Sequence, residues 1–395
     1  MPRRMLLLVA LGEFLGMTLW FSATAAAPSI AREFSLDTSW RAWLTMAVQA
    51  GFVAGTLLSA LTNAADVINS RRLFVFGAST AAAMNAAIAV APNAGAIIAL
   101  RFCTGAALAW VYPPGLKIAA GWFLERRGAA LGLVVGALTI GSAFPHLLAW
   151  LGTGISWRTL VCISSVLAVA GAAVVGLGVK DGPYVSASAP FDRHALRIVL
   201  RNRGVRLATL GYLGHMWELY AVWTWIAAFA AAALAGSRPA STGALVAFVT
   251  IASGAIGCVA AGRWADNWGK PQIAGAAMVG SAACSLISPV AFSGSLAVLL
   301  ILAVVWGFTV VADSAQFSAL VSEHSPRTHV GTALTLQIST GFLLTMVSMR
   351  LVPHISTLFG WRWAFVILVP GPVLGAWAMA ELAKSTVAGR ESLVT

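Results

Sequence analysis

The stretch LAVLLILAVVWGFTVV, residues 296–311, decides the fold, because it runs for sixteen residues without one ionisable side chain. At about 1.5 Å rise per residue, some twenty such residues in a helix cross the roughly 30 Å hydrocarbon core of a bilayer. Lipid offers no partner for backbone N–H and C=O groups, so only helices and closed barrels span it. The alternating pattern of barrel strands is absent, and each long apolar run therefore reads as a helix. Leu6 to Ala27, Leu131 to Leu151 and Ala364 to Ala380 are similar runs.

Working outward, the whole chain has the same character. Hydrophobic residues make up 59% of its 395 residues and charged residues only 10%, against roughly 25% charged in a typical soluble domain. Too few charges remain to cover a water-facing surface, so lipid must face much of the exterior. Spans are expected over residues 5–27, 41–63, 72–91, 96–121, 128–150, 157–179, 207–233, 242–264, 271–292, 296–322, 331–354 and 360–383. The N-terminal run is read as the first span rather than a signal peptide, since it is long, contains Glu13 and lacks a clear cleavage site before Pro28. Cys103, Cys162, Cys258 and Cys284 fall singly in separate apolar spans, which suits neither a zinc site nor a disulfide framework.

Lys and Arg set the orientation. Arg3, Arg4, Arg71, Arg72, Arg126, Arg127, Arg263, Lys270, Arg327, Lys384, Arg390 and the basic residues between Lys180 and Arg206 collect on one side. Arg32, Arg41, Arg158, Arg238 and Arg362 are left for the other. Both termini are thus expected in the cytoplasm, and a compact chain with short loops suits a bacterial inner membrane. The net charge of +12 then reflects attraction to anionic lipid at the inner leaflet. A nucleic-acid partner is not expected, because no soluble basic face is visible.

The chain divides into a half at 1–179, a linker at 180–206 and a second half at 207–395. The linker opens with Asp181-Gly-Pro and a Ser/Ala/Pro stretch, which reads as flexible. Within it Phe191, Ala195, Ile198 and Val199 recur at helical spacing among arginines, as in a helix lying on the membrane interface. The halves repeat each other: Trp157-Arg158 returns as Trp361-Arg362, Gly128-Ala-Ala-Leu-Gly-Leu as Gly331-Thr-Ala-Leu-Thr-Leu, and Leu11-Gly12 as Leu210-Gly211. Three matches at nearly one offset, in one order, point to duplication. Parallel six-helix repeats with a site at their interface are a transporter architecture.

Gly262-Arg-Trp-Ala-Asp266-Asn-Trp-Gly269-Lys270 resembles the loop motif of the major facilitator superfamily, Gly-x-x-x-Asp-x-x-Gly followed by a basic residue. The matching first-half loop, Ser59 to Asp66 followed by Arg71-Arg72, is a degenerate copy with Asn63 in place of the acid. Arg101-x-x-x-Gly105 and Trp122-Phe123-x-x-Arg126-Arg127-Gly128 also resemble motifs of that family. The resemblance covers essentially the whole chain. It implies an all-α membrane protein of twelve transmembrane helices in two pseudo-symmetric six-helix bundles. It also implies a cytoplasmic gate at Gly262, Arg263, Asp266, Gly269 and Lys270, with Asp66, Arg71 and Arg72 as weaker counterparts.

Ionisable residues inside spans are costly in lipid and are functional candidates by default. On the first span Glu13, Met17, Trp20 and Thr24 share a face. On the fourth, Arg101, Gly105, Leu108 and Tyr112 align. The seventh brings together His215, Glu218, Val222 and Trp225, with Trp217, Tyr220 and Trp223 close by, and the tenth aligns Trp306, Thr309, Asp313 and Gln316. In the superfamily these four spans line the central cavity. The expected cavity set is Glu13, Trp20, Arg101, Tyr112, His215, Trp217, Glu218, Asp313 and Gln316, with Glu218 ranked first as the coupling acid, Glu13 second and Asp313 third. A carboxylate in a low-dielectric cavity can load and release a proton as access alternates. Pro113-Pro114-Gly115 and Pro370-Gly371-Pro372 are expected to break their helices.

The expected function is secondary active transport of a small solute by alternating access, coupled to protons, with symport and antiport both open. The expected partners are that solute, protons and the bilayer, and the expected functional unit is a monomer. A transporter-like receptor or scaffold without flux, and a proton-independent uniporter or anion porter, are the alternatives. No cofactor or metal is expected, and the absence of a metal-ligand cluster, nucleophile triad or phosphate loop argues against an enzyme.

Overall fold

The computed structural model of the protein describes residues 1–62, 64–123, 127–152, 154–184, 201–326 and 329–391. The first crossing consists of α1 (Pro2–Met17) and α2 (Ser22–Ala25), and α3 (Ala27–Glu33) leads out of it. Next come α4 (Thr38–Leu61), the short α5 (Ala64–Val67) and α6 (Ser70–Ala87). The fourth crossing joins α7 (Ala94–Leu108) to α8 (Tyr112–Ala120), and α9 (Arg127–Leu151) and α10 (Trp157–Gly178) follow. Beyond the linker run α11 (Arg203–Ala233), α12 (Thr242–Trp268) and α13 (Lys270–Phe292). The last three crossings are α14 (Leu296–Ala312) with α15 (Ser314–His324), then α16 (Val330–Phe359), then α17 (Pro370–Glu391). Among the described residues eleven helical segments are long and apolar enough to cross a membrane. The expected first span joins them in pieces, because it is divided.

Helix starts follow the sequence closely. Asp37, Asn69, Asn93, Ser156 and Asn202 each accept a backbone N–H of the first turn that follows, as N-cap side chains do. The fourth crossing breaks between Leu108 and Tyr112, just ahead of Pro113-Pro114. Neither proline has an N–H to donate, and each ring crowds the carbonyl four residues back, at Ala109 and Trp110. The tenth breaks at Asp313 without a proline, 203 positions after Trp110. In the last crossing the helix begins at Pro370, after two short tight turns.

The internal repeat has a structural counterpart at several points. A Cβ on Gly51 or Gly105 would meet the backbone carbonyl of Phe102 or Val48 on the facing helix. Gly254 and Gly307, about 203 positions later, stand in the same tight relation, against Val311 and the Thr250 carbonyl. Small residues of this kind let transmembrane helices approach closely, so packing and not a hydrophobic drive holds the pair. The Trp-Arg repeat has an equally plain use. Arg158 Nε donates to the Ala89 carbonyl at 2.9 Å, and Arg362 Nε to that of Pro289 at 3.1 Å. Each arginine thus satisfies the open end of the third helix in its own half. Across the molecule α9 packs on α12 and α4 on α16. The interfacial helix expected around Phe191 to Val199 lies outside the described residues.

Candidate functional site

Two buried ionisable groups are fully wired. Arg101, on α7, donates from Nε to the Leu44 carbonyl at 3.0 Å and from one terminal nitrogen to the Leu19 carbonyl at 2.8 Å. Its other terminal nitrogen donates to the Trp20 carbonyl. Leu19 and Trp20 lie in the break between α1 and α2, where no glycine or proline stands. The guanidinium supplies what the missing helical N–H groups would have given. Ser22 and Asn85 complete the knot: Ser22 Oγ lies 2.7 Å from Asn85 Oδ1, and Asn85 Nδ2 donates to the Ser165 hydroxyl at 3.0 Å.

In the second half Glu218, on α11, is 1% exposed. It accepts from Ser281 at 2.7 Å, Ser285 at 2.9 Å and the Trp306 indole at 2.7 Å. Ser285 stands 200 positions after Asn85, so the third helix of each half supplies a polar partner at the same level. The three donors turn Glu218 inward among α11, α13 and α14.

The other ionisable groups are differently placed. Glu13 is fully buried and neither carboxylate oxygen has a hydrogen-bond partner. It lies against Gly115, where a Cβ would collide with Oε1. The nearest turn of α8 has little to offer, because Pro113 and Pro114 carry no N–H. Asp313 Oδ1 lies 2.8 Å from His215 Nδ1, both nearly inaccessible, as an ion-pair approach off the line of a hydrogen bond. The far ring nitrogen, Nε2, is 2.9 Å from the Ser314 hydroxyl. Asp313 reaches His215 because the tenth crossing opens at that residue.

Two cavities lie one above the other. A central space of about 130 Å³ is lined by Trp20, Tyr112, His215, Tyr220, Trp223 and Ser314, with Phe52 and Phe342 among its apolar walls. A larger cleft of about 440 Å³ lies where the first, second, fifth, sixth, seventh and eighth crossings meet their connecting loops, on the side away from the termini. Between them sits a cluster of rings drawn from both halves. Trp20 is 5.9 Å from Tyr220 and from Phe342, Phe52 is 5.0 Å from Phe342, and Phe21 is 5.8 Å from Trp223. The indole N–H groups of Trp20 and Trp223 are buried without partners.

Of the expected cavity set, Trp20, Tyr112 and His215 line the central space, and Asp313 stands directly behind His215. Glu13 meets the same layer through Gly115. Arg101 and Glu218 belong to the two knots, and Trp217 donates to the Ile367 carbonyl at 3.1 Å on the last crossing. Gln316 is buried on α15. Sequence reasoning passed over Ser281 and Ser285, although their i, i+4 spacing on an apolar span was the available signal. It also passed over Asn85, the lone amide of its helix.

At the expected gate, Gly269 adopts φ +91 between α12 and α13, a left-handed conformation that explains why the motif needs glycine there. Lys270 pairs with Glu323 at 2.7 Å, and Arg71 donates to the Val179 carbonyl at 3.0 Å. Both contacts join helices of the same half. Arg72, Arg263 and Asp266 are exposed and Gly262 is half-buried. The side chains of Asp66 and Arg127, and Arg126 altogether, lie outside the described residues.

Helices long and apolar enough to cross a membrane, drawn from two repeats and meeting around a small polar and aromatic space, mark a multi-pass integral membrane protein. The model of the Major Facilitator Superfamily matches residues 9–237 and again 208–391, and the chain belongs to that family. The hexuronate transporter of Escherichia coli (strain K12) is 30% identical over 170 residues, covering 41% of this chain and 38% of that protein. The galacturonate transporter of Dickeya chrysanthemi is 28% identical over 169 residues, covering 41% of this chain and 47% of the other. The chain thus matches less than half the length of these curated relatives. Among solved structures, a bacterial homolog of the human lysosomal transporter Spinster, inward-facing and unoccupied, superposes with a TM-score of 0.73 at 16% identity over 98% of each chain. A nucleoside transporter gives 0.72 at 14% identity, over 96% of this chain and 99% of its own. At such identities the likeness is one of fold.

Proposed function

We propose that the protein moves a small, hydroxyl-rich organic solute by alternating access of its two six-helix halves, 1–179 and 207–395, coupled to proton binding. The linker at 180–206 joins them on the cytoplasmic side of a bacterial inner membrane, where both termini lie. The observation that carries this reading is the His215–Asp313 pair, buried at 2.8 Å yet with the imidazole on the wall of the central cavity. A proton gained or lost there changes the charge beside the solute and at the break of the tenth crossing together, which is what coupling requires. Glu13, without a partner against the equivalent break of the fourth crossing, is the second proton site.

Ring faces and unpartnered indole N–H groups suit a solute that offers a flat apolar face and oxygen acceptors. The sugar acids named for the partial relatives fit that description. At about 130 Å³ the space is smaller than the several hundred Å³ usual for a bound solute, so the ring cluster must part for loading. Exposed Asp266 and Arg263, beside the Lys270–Glu323 pair, are the proposed cytoplasmic gate.

The test is uptake into proteoliposomes under an imposed pH gradient, over a panel of sugar acids and neutral sugars. Accumulation above equilibrium in wild type, lost in Asp313→Asn while solute exchange without a gradient persists, is the expected result. Uphill uptake that survives Asp313→Asn overturns coupling at this pair. Flux that never depends on the gradient favours a uniporter, and binding without any flux favours a receptor.

A further inference from the structure

The larger cleft holds a second set of polar groups that the transport reading does not use. His146, on α9, is 1% exposed and lies on its wall, and neither ring nitrogen has a partner. Its ring packs at 6.1 Å against Phe21 of the ring cluster, so it sits where the cleft meets the seal. Arg41 and Arg32 line the same space. Arg41 lies in the first turn of α4, where the helix dipole disfavours a cation, and its Nε is buried without a partner. Helix stability therefore gives no reason for an arginine there.

The nearby acids are committed elsewhere. Glu33 is held by Arg158, at 2.6 and 2.7 Å, and by the Trp157 indole at 2.7 Å. Asp37 caps α4 through the Trp40 N–H at 2.9 Å. Among the described residues that line the cleft there is no carboxylate. At about 440 Å³ it falls within the usual range for a small-molecule site, and Trp157, Trp225 and Trp361 add aromatic wall.

We infer that this cleft is a binding site for an organic carboxylate, distinct from the central cavity, which captures the solute ahead of the ring seal. Arg41 supplies the charge-assisted hydrogen bonds to the carboxylate, Arg32 adds long-range attraction, and His146 donates to a solute oxygen. The inference rests on the transport reading for its purpose, and it narrows the solute class to acids. Among the described residues that line the central cavity there is no arginine or lysine, so recognition of the charge falls to the cleft.

The experiment is calorimetric binding of D-glucuronate and D-galacturonate to the purified full-length protein, with D-glucose as the neutral comparison. The expected result is acid binding that weakens about tenfold or more in Arg41→Gln, which is a change of 1.4 kcal/mol or more. His146→Phe, which keeps the ring contact with Phe21, weakens it as well. Arg41→Lys, for which folding is a smaller risk, retains part of the affinity. Equal acid binding in wild type, Arg41→Gln and His146→Phe overturns the site, as does an absence of acid binding in wild type. Neither result touches the transport reading, which stands or falls on gradient-driven uptake of any solute, neutral or acidic.

Discussion

The knots around Arg101 and Glu218 and the layer holding Glu13, His215 and Asp313 are equally buried, yet they are built on opposite plans. In the knots each charged group is surrounded by partners: three carbonyls for Arg101, and two hydroxyls and an indole for Glu218. The halves even use opposite charges at one level, a cation reaching out from the fourth crossing and an anion reaching out from the seventh. In the other layer Glu13 has no partner, and His215 has one acid and one hydroxyl. A wired charge fixes one arrangement of helices, because every alternative leaves a buried group unpaired. A sparsely held charge can change its protonation without dismantling its surroundings. Burial alone therefore does not distinguish these groups, whereas the number of hydrogen-bond partners does.

The comparison breaks most visibly if Arg101 can be removed cheaply. Arg101→Met leaves the Leu19, Trp20 and Leu44 carbonyls without donors and, at about 1 kcal/mol or more each, should cost about 3 kcal/mol or more. Thermal unfolding in detergent, or the folded yield, measures it. Arg101→Lys should rescue little, since a single ammonium cannot replace a planar fork that reaches three carbonyls. A stable, active Arg101→Met protein would show that the break in the first crossing needs no clamp.

Glu218 comes next. Glu218→Leu orphans three donors, at about 1 kcal/mol or more each, so a loss of roughly 3 kcal/mol is expected. Glu218→Gln should cost under about 1 kcal/mol, because the amide oxygen still accepts from Trp306 and a serine hydroxyl can turn to accept from the amide nitrogen. The same variant sharpens the functional contrast. Gradient-driven uptake should persist in Glu218→Gln, and its loss from a folded protein would return Glu218 to the role of coupling acid.

Glu13→Gln should cost less stability than removing either knot, since no hydrogen bond is lost. Its effect should appear in function, as uptake that no longer responds to the pH gradient. A large drop in thermal stability would mean that Glu13 is held as firmly as the knots.

Much of this was legible from residues alone, and the part that was not has a physical reason. Apolar runs and the Trp-Arg repeat are local signals; the runs placed the helices and the repeat pointed to the duplication. The break after Met17 contains no glycine or proline, and the group that satisfies its carbonyls, Arg101, lies more than eighty positions away in sequence. The shared face of His215 and Glu218 was real but too coarse. Residues three apart on a helix diverge by roughly 60°, enough for His215 to meet the cavity while Glu218 turns to α13. The spacing showed which side of α11 is polar, and only the neighbouring helices decide where each group points.

The smallest effect is expected at the rim, where the halves differ in a way the repeat does not foretell. Arg158 and Arg362 do the same work on a carbonyl, but only Arg158 also grips an acid. Hydrogen bonds from Arg158 and Trp157 hold the Glu33 carboxyl down at about 2, below its ordinary 4.5. A depressed carboxylate stabilises the folded state fully above its unfolded value, and that contribution fades as pH falls from about 4.5 towards 2. Both partners are solvent-exposed, so screening leaves the gain small. Melting curves of wild type and Glu33→Gln should therefore differ slightly at neutral pH and converge as the pH is lowered through that window. Curves that stay apart at the acid end would mean that Trp157 and Arg158 hold the third and sixth helices in place by packing, and that the acid is incidental to the rim.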